Sequence, residues 1–215
     1  MPDVRLREIY EFLDMHFGDL HWWPGDTPFE VAIGAILTQN TSWENVEKAI
    51  GALKAHGVLD PHLLAALSDK KLGVLIRPAG FYNLKTKRIK SFLDFLHREY
   101  GGIMEEMFRE NLRTLRRKLL SVKGIGDETA DSILLYAGGK PVFVVDAYTR
   151  RILLRHTIIN EENGYGEIQK LFMESLPRKA SLYNQYHALF VHTGKIYCRK
   201  EPLCTHCPLN VLART

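Results

Sequence analysis

The chain has 215 residues, a formal net charge of +4 and a pI near 8.9, with 46% hydrophobic and 25% charged residues. That is ordinary composition for a globular protein of one large or two small domains, and its mildly basic balance suits a polyanionic partner. No apolar run is long enough for a membrane span, and residues 1–8 are charged without an apolar core, so neither a membrane segment nor a secretory signal is expected and a cytoplasmic, nucleoid-associated setting follows.

Nearly every long segment reads as helix. Leu6, Ile9, Tyr10, Leu13 and Phe17 give Val4–Phe17 the three-to-four spacing of an amphipathic helix. Residues 29–37 are almost wholly apolar and predict a central buried helix. Thr41 or Ser42 can cap the next one, with Glu44 in its first turn, running to about His56. Further helices are predicted over 61–67, 70–76, 85–100 and 111–120, then over 146–156, 166–176 and 180–195. Strand signal is confined to 141–145, too short and isolated to found a sheet. There are no internal repeats and no low-complexity linker. The expected fold class is all-α.

Two features carry chemistry. Between helical runs lies Val122–Lys123–Gly124–Ile125–Gly126–Asp127–Glu128–Thr129–Ala130, a short turn that presents backbone N–H groups at a helix start. Those donors and the helix dipole make an anion site, with Lys123 adding a cation beside it. A G-x-G between helices is otherwise just a tight turn. Asp146 then follows the apolar run from Val142 to Val145, a carboxylate at the end of a buried element. It also suits the N-cap of the helix that begins there, and the two readings are compatible.

The hairpin followed by Asp146 resembles the helix-hairpin-helix plus Gly/Pro-Asp arrangement of the endonuclease III superfamily of DNA glycosylases. Further stretches resemble that family in the same order. Leu37–Thr38–Gln39–Asn40–Thr41 is similar to its L-x-Q-x-T helix end, Gly80–Phe81–Tyr82–Asn83–Leu84–Lys85 to its G-[LF]-Y-N-x-K loop, and Val145–Asp146 to its catalytic V-D. The resemblance implies a two-domain, all-helical fold with the active-site cleft between domains. One domain would comprise 1–27 with 136–215; the other would be 28–135, with the hairpin at about 111–135. The implied partner is double-stranded DNA carrying a damaged base, bound by a monomer that flips the nucleotide out and cuts the base–sugar bond.

Residue by residue, the resemblance makes Asp146 the catalytic acid, stabilising positive charge on the sugar and orienting water. Gly124, Gly126, Lys123 and Thr129 would contact DNA at the hairpin, joined by Asn40, Asn83 and Lys85. Gln39 would fill the gap left by the flipped base and Phe81 would wedge the opposing stack; Phe81 could equally be a core aromatic. Lys85, Lys87, Arg88 and Lys90 form a cationic helix start, either a solvated face or a phosphate track.

Glu128 departs from the pattern. Bifunctional members carry a lysine two residues after the second glycine, and a carboxylate there cannot form the Schiff base that leads to strand cleavage. AP lyase activity is therefore not expected, although Glu128 could also be only a first-turn acid favoured by the helix dipole.

Trp22–Trp23–Pro24 and Trp43 would border the base pocket with Glu128, where an aromatic sandwich suits a cationic alkylated purine. Packing between domains is the alternative for the tryptophans. With R-P-x-G-F-Y-N at Arg77 to Asn83, this set looks most like the 3-methyladenine DNA glycosylases of the endonuclease III class. Mismatch uracil/thymine or adenine glycosylases also lack the lysine, and a non-catalytic damaged-DNA-binding module is a third possibility.

Cys198, Cys204 and Cys207 resemble the family's four-cysteine iron–sulfur loop with a shortened first gap and Ala213 at the fourth position. Four thiolates are the usual ligation of a [4Fe–4S] cluster. A structural cluster is thus an open expectation, with no cofactor required for the chemistry. His192 and His206 are nearby donors without family precedent.

Overall fold

The computed structural model describes residues 4–210 and, among them, is helical without strands. In chain order the helices are α1 (Val4–Phe17), α2 (Pro28–Leu37), α3 (Trp43–Ala55), α4 (Pro61–Ala66), α5 (Asp69–Leu75) and α6 (Tyr82–Tyr100). These are followed by α7 (Met104–Phe108), α8 (Leu112–Leu120), α9 (Asp127–Ser132), α10 (Ala147–Arg155), α11 (Tyr165–Ser175) and α12 (Ala180–Ile196). Short 3-10 turns lie at Arg77–Ala79 and Cys204–His206, and α9 runs on into a π-helical turn at Ile133–Ala137. No described helix is long and apolar enough to cross a membrane.

The chain divides into two compact units. One runs up to Trp23 and resumes at Gly139; the other is Pro24–Gly138.

In the continuous unit, α2 is the core rod. Thr27 caps it by accepting from Glu30 N at 3.1 Å, Pro28 occupies its first turn, and every residue from Phe29 to Leu37 is buried. Asp60, Ser68 and Asn111 cap α4, α5 and α8 in the same way. Helix α6 shows the face rule plainly: Ile89, Phe92, Leu93 and Leu96 are fully buried at three-to-four spacing, and Gly101 ends the helix in a left-handed conformation with φ +63.

In the discontinuous unit, α1 and α10 both pack on α12. The Phe143 and Phe172 rings stack at 3.8 Å, with Tyr186 edge-on to both, and the Tyr186 hydroxyl donates to Leu6 O at 2.7 Å. Residues 142–145 are buried but form no ladder. Gln169 Nε2 donates to Phe143 O at 2.7 Å, satisfying one carbonyl that a sheet would otherwise have used. Helix α7 is an addition to the sequence expectation, and α6 begins at Tyr82 rather than Lys85.

Candidate functional site

The hairpin is built by a charge clasp. Arg116 of α8 donates from Nε to Asp131 Oδ1 at 2.7 Å and from Nη2 to Asp131 Oδ2 at 2.9 Å, and reaches Asp127 Oδ1 at 2.7 Å. Asp131 is fully buried, and these bonds make the guanidinium hold its proton more tightly still. This bidentate fork sets the angle between α8 and α9. At the tip, Val122 and Ile125 are buried while Lys123, Gly124 and Gly126 are exposed. Gly124 has φ +91, and a Cβ there would come within 2.4 Å of Arg88 Cγ, so both the backbone and the neighbour demand glycine. Gly126 caps α9 without a side chain, which leaves first-turn N–H groups to be satisfied from outside the helix. Glu128 is exposed in that first turn.

Gln39 lies against this hairpin. Its Nε2 donates to Gly124 O at 3.1 Å and to Thr129 Oγ1 at 2.8 Å, while Arg88 Nη1 donates to its Oε1. Thr129 is buried and takes part in this contact rather than in the exposed tip. Asn40, exposed, bends the chain at φ +54. Phe81 is 68% exposed in a left-handed conformation at φ +44, directly before α6, so it is not a core aromatic. Asn83 is exposed on the first turn of α6.

Lys85 corrects the sequence expectation. It is fully buried, and its Nζ donates to Leu37 O at 2.8 Å and Ala79 O at 2.7 Å. An ammonium with no solvent access cannot serve as a DNA phosphate contact. Burial, then repulsion from Arg88, lowers its pKa to about 8. Lys90 is also drawn away from any phosphate track, its Nζ donating to Ala65 O at 2.7 Å and also to Leu67 O at the end of α4.

Asp146 caps α10, its Oδ1 accepting from Thr149 N at 2.7 Å, and its side chain is only 11% exposed. Its second oxygen, Oδ2, lies 3.7 Å from Nε2 of the buried His187 on α12. Burial lowers the His187 pKa, with Asp146 pulling it back up. A carboxylate fixed by a cap and set beside an imidazole is preorganised to stabilise nearby positive charge. Sequence reasoning missed His187, which lies on the apolar face of α12 among Tyr183, Tyr186 and Phe190.

Trp22 and Trp23 are half-buried in the discontinuous unit, in edge-on contact with ring centroids 5.9 Å apart. Lys195 Nζ lies 5.8 Å over the Trp22 ring. Trp22 also lines an open pocket of about 600 Å³ with Tyr10, Asp14, Asp19 and Gln185, among whose lining residues Asp146 does not figure. Pro24 and Trp43 belong to the continuous unit; Pro24 is exposed and Trp43 half-buried at the start of α3.

Cys198 is buried, Cys207 half-buried and Cys204 exposed; burial raises the Cys207 thiol. The loop is fastened to α10. Arg151 Nε donates to Cys198 O at 2.7 Å, and Arg155 Nη1 donates to Cys198 Sγ at 3.2 Å and Arg199 O at 2.7 Å. Ala213 lies outside the described residues. The chain holds three cysteines, and no group of three or more His, Cys, Asp or Glu among the described residues is arranged to hold a metal ion. These residues do not fit a four-thiolate cluster.

Residues 33–178 match the HhH-GPD superfamily of base excision DNA repair proteins. The chain belongs to this superfamily. A Methanocaldococcus jannaschii protein whose name assigns it to the DNA repair glycosylases is 49% identical over 205 residues, covering 94% of this chain and 93% of the relative. The crystal structure of H. pylori 3-methyladenine DNA glycosylase bound to 1,N6-ethenoadenine is similar at 30% identity and TM-score 0.75, over 91% of this chain and 98% of that one. A non-covalent endonuclease III–DNA complex shares the fold at TM-score 0.84 and 24% identity, over 100% of this chain and 96% of that one. This HhH-GPD chain is a DNA glycosylase of the base excision repair family.

Proposed function

We propose that this HhH-GPD protein is a monofunctional glycosylase, acting as a monomer on duplex DNA to hydrolyse the base–sugar bond of alkylated purines, 3-methyladenine above all. The observation that carries the monofunctional reading is Glu128, exposed in the first turn of α9 where bifunctional relatives use an amine. Asp146 stabilises the oxocarbenium-like sugar and orients water, a role that needs no cofactor. N-alkylation weakens the base–sugar bond, so one preorganised carboxylate is enough.

The lesion class is supported by the Trp22–Trp23 pair and by likeness to the 3-methyladenine enzyme of H. pylori. The rings proposed to border the base are those of Trp22, Trp23 and Trp43. The exposed Phe81 is the wedge and Gln39 the filler.

Base release from a panel of lesion duplexes tests the substrate: 3-methyladenine should be excised readily, and uracil, thymine glycol and 8-oxoguanine poorly. Excision of uracil opposite guanine as fast as 3-methyladenine would replace this reading with mismatch repair. Borohydride should trap no covalent adduct with abasic DNA; a strong lysine-dependent adduct would overturn the monofunctional assignment.

A further inference from the structure

Gln39 and Phe81 each stand two residues beyond a helix-end carbonyl, that of Leu37 for the first and that of Ala79 for the second. Both carbonyls are held by a single ammonium, Lys85 Nζ, at 2.8 and 2.7 Å. We infer that Lys85 is a positioning residue that locks the filler and wedge turns together, so that Gln39 and Phe81 enter the duplex as one unit. This rests on reading those two residues as the duplex probes.

The chemistry of the site argues for it. Leu37 ends α2 and Ala79 ends a 3-10 turn, and carbonyls at helix ends need donor partners from elsewhere. A lysine has three N–H donors and no acceptor, so one residue can serve both carbonyls. Burying that charge is costly, and its charged neighbour is Arg88, a like charge, which with burial brings its pKa down to about 8. An apolar side chain would fill the same space without that cost, but would leave two buried carbonyls orphaned.

The same helix start grips the probes twice more. Arg88, one turn further along α6, donates to Gln39 Oε1, and Phe81 is itself the residue that caps α6. In this stowed arrangement the turns that carry filler and wedge are both anchored to the start of α6.

The test uses a duplex with a tetrahydrofuran abasic analogue beside 2-aminopurine, whose fluorescence rises on unstacking whatever lesion the enzyme prefers. Lys85→Met should lose most of that rise and slow excision by about a hundredfold, the scale of a misplacement near 1 Å. Affinity for undamaged duplex should stay within about threefold, because phosphate contacts supply it. Amide exchange should accelerate locally at Asn40 and Phe81. A folded Lys85→Met protein that keeps the fluorescence rise overturns the inference, as does exchange accelerated evenly over α2, α3 and α6. Should Lys85→Met not fold, Lys85→Gln is held to the same criteria. Phe81→Ala and Gln39→Ala run alongside: if neither lowers the rise, the probe reading itself fails, whereas loss there with none in the Lys85 variant rejects the brace alone.

Discussion

The hairpin and the surroundings of Asp146 solve opposite electrostatic problems. At the hairpin tip the working groups are backbone amides, held open to solvent by two glycines and braced from below by the buried Arg116–Asp131 fork. Around Asp146 the working group is a side chain, almost closed off from water, with one oxygen on a backbone N–H and the other beside an imidazole. A binding surface for a polyanion must exchange its water readily; a group that stabilises charge in a transition state must not have to reorganise. The two regions should therefore fail differently when altered.

Asp146→Asn should give the largest effect. Excision should fall about a thousandfold or more, the scale of a preorganised charge lost from a dry site, while DNA affinity changes little. Single-turnover excision beside equilibrium binding measures both, and a variant keeping more than about a tenth of normal turnover would blur the contrast between the regions.

Asp131→Ala attacks the other region from below. It should cost about 2 kcal/mol of stability, less than the roughly 3–5 of a fully buried pair, because Arg116 is partly solvated and retains Asp127. Urea melts read the stability, and weakened binding to undamaged duplex should accompany it.

His187→Asn should slow excision about tenfold by removing the imidazole that stands 3.7 Å from Asp146 Oδ2. It also alters the acid limb of stability. In the folded chain burial holds His187 below its ordinary value of 6.5. The unfolded chain takes up a proton near 6.5 and the folded chain does not, so stability is full above that pH and falls as pH drops below it. Burial lowers His156 and His192 as well, so they add to the same acid slope. Urea midpoints at pH 5 and pH 7 should converge in the His187 variant relative to the native chain.

Lys123→Ala should be the mildest. It should reduce the slope of log affinity against log salt by about one and leave single-turnover excision nearly intact. A salt slope that does not move would remove Lys123 from the phosphate surface.

The hairpin and Asp146 were legible in the sequence because each is local: glycines at a turn, an acid before a helix. The all-helical fold was legible from apolar spacing. Lys85 was misread because its neighbours Lys87, Arg88 and Lys90 are charged, yet it falls on the buried stripe, four residues before Ile89 and seven before Phe92. That period was the available signal. His187 gave none that could be used, since its partner lies on another helix and a histidine among apolar residues reads as packing. Arg116 is one cation of several on α8; only the fold puts it against Asp131. The π-turn after α9 leaves no mark in residue type.

Gln39 rests folded back on the hairpin, its amide occupied by Gly124 O and Thr129 Oγ1 and its oxygen by Arg88. A repair protein meets intact duplex almost everywhere it lands, and a probe left extended would drag against every base stack. On the reading of Gln39 as the filler, the stowed side chain would leave phosphate contacts alone to carry the protein along sound DNA. Three hydrogen bonds must then break before the probe is deployed, and an intact, well-stacked site offers no vacancy to compensate for them. If Gln39 is the filler proposed above, the stowed glutamine is a threshold on inspection, slow to open on sound DNA and quicker where the stack is already weakened.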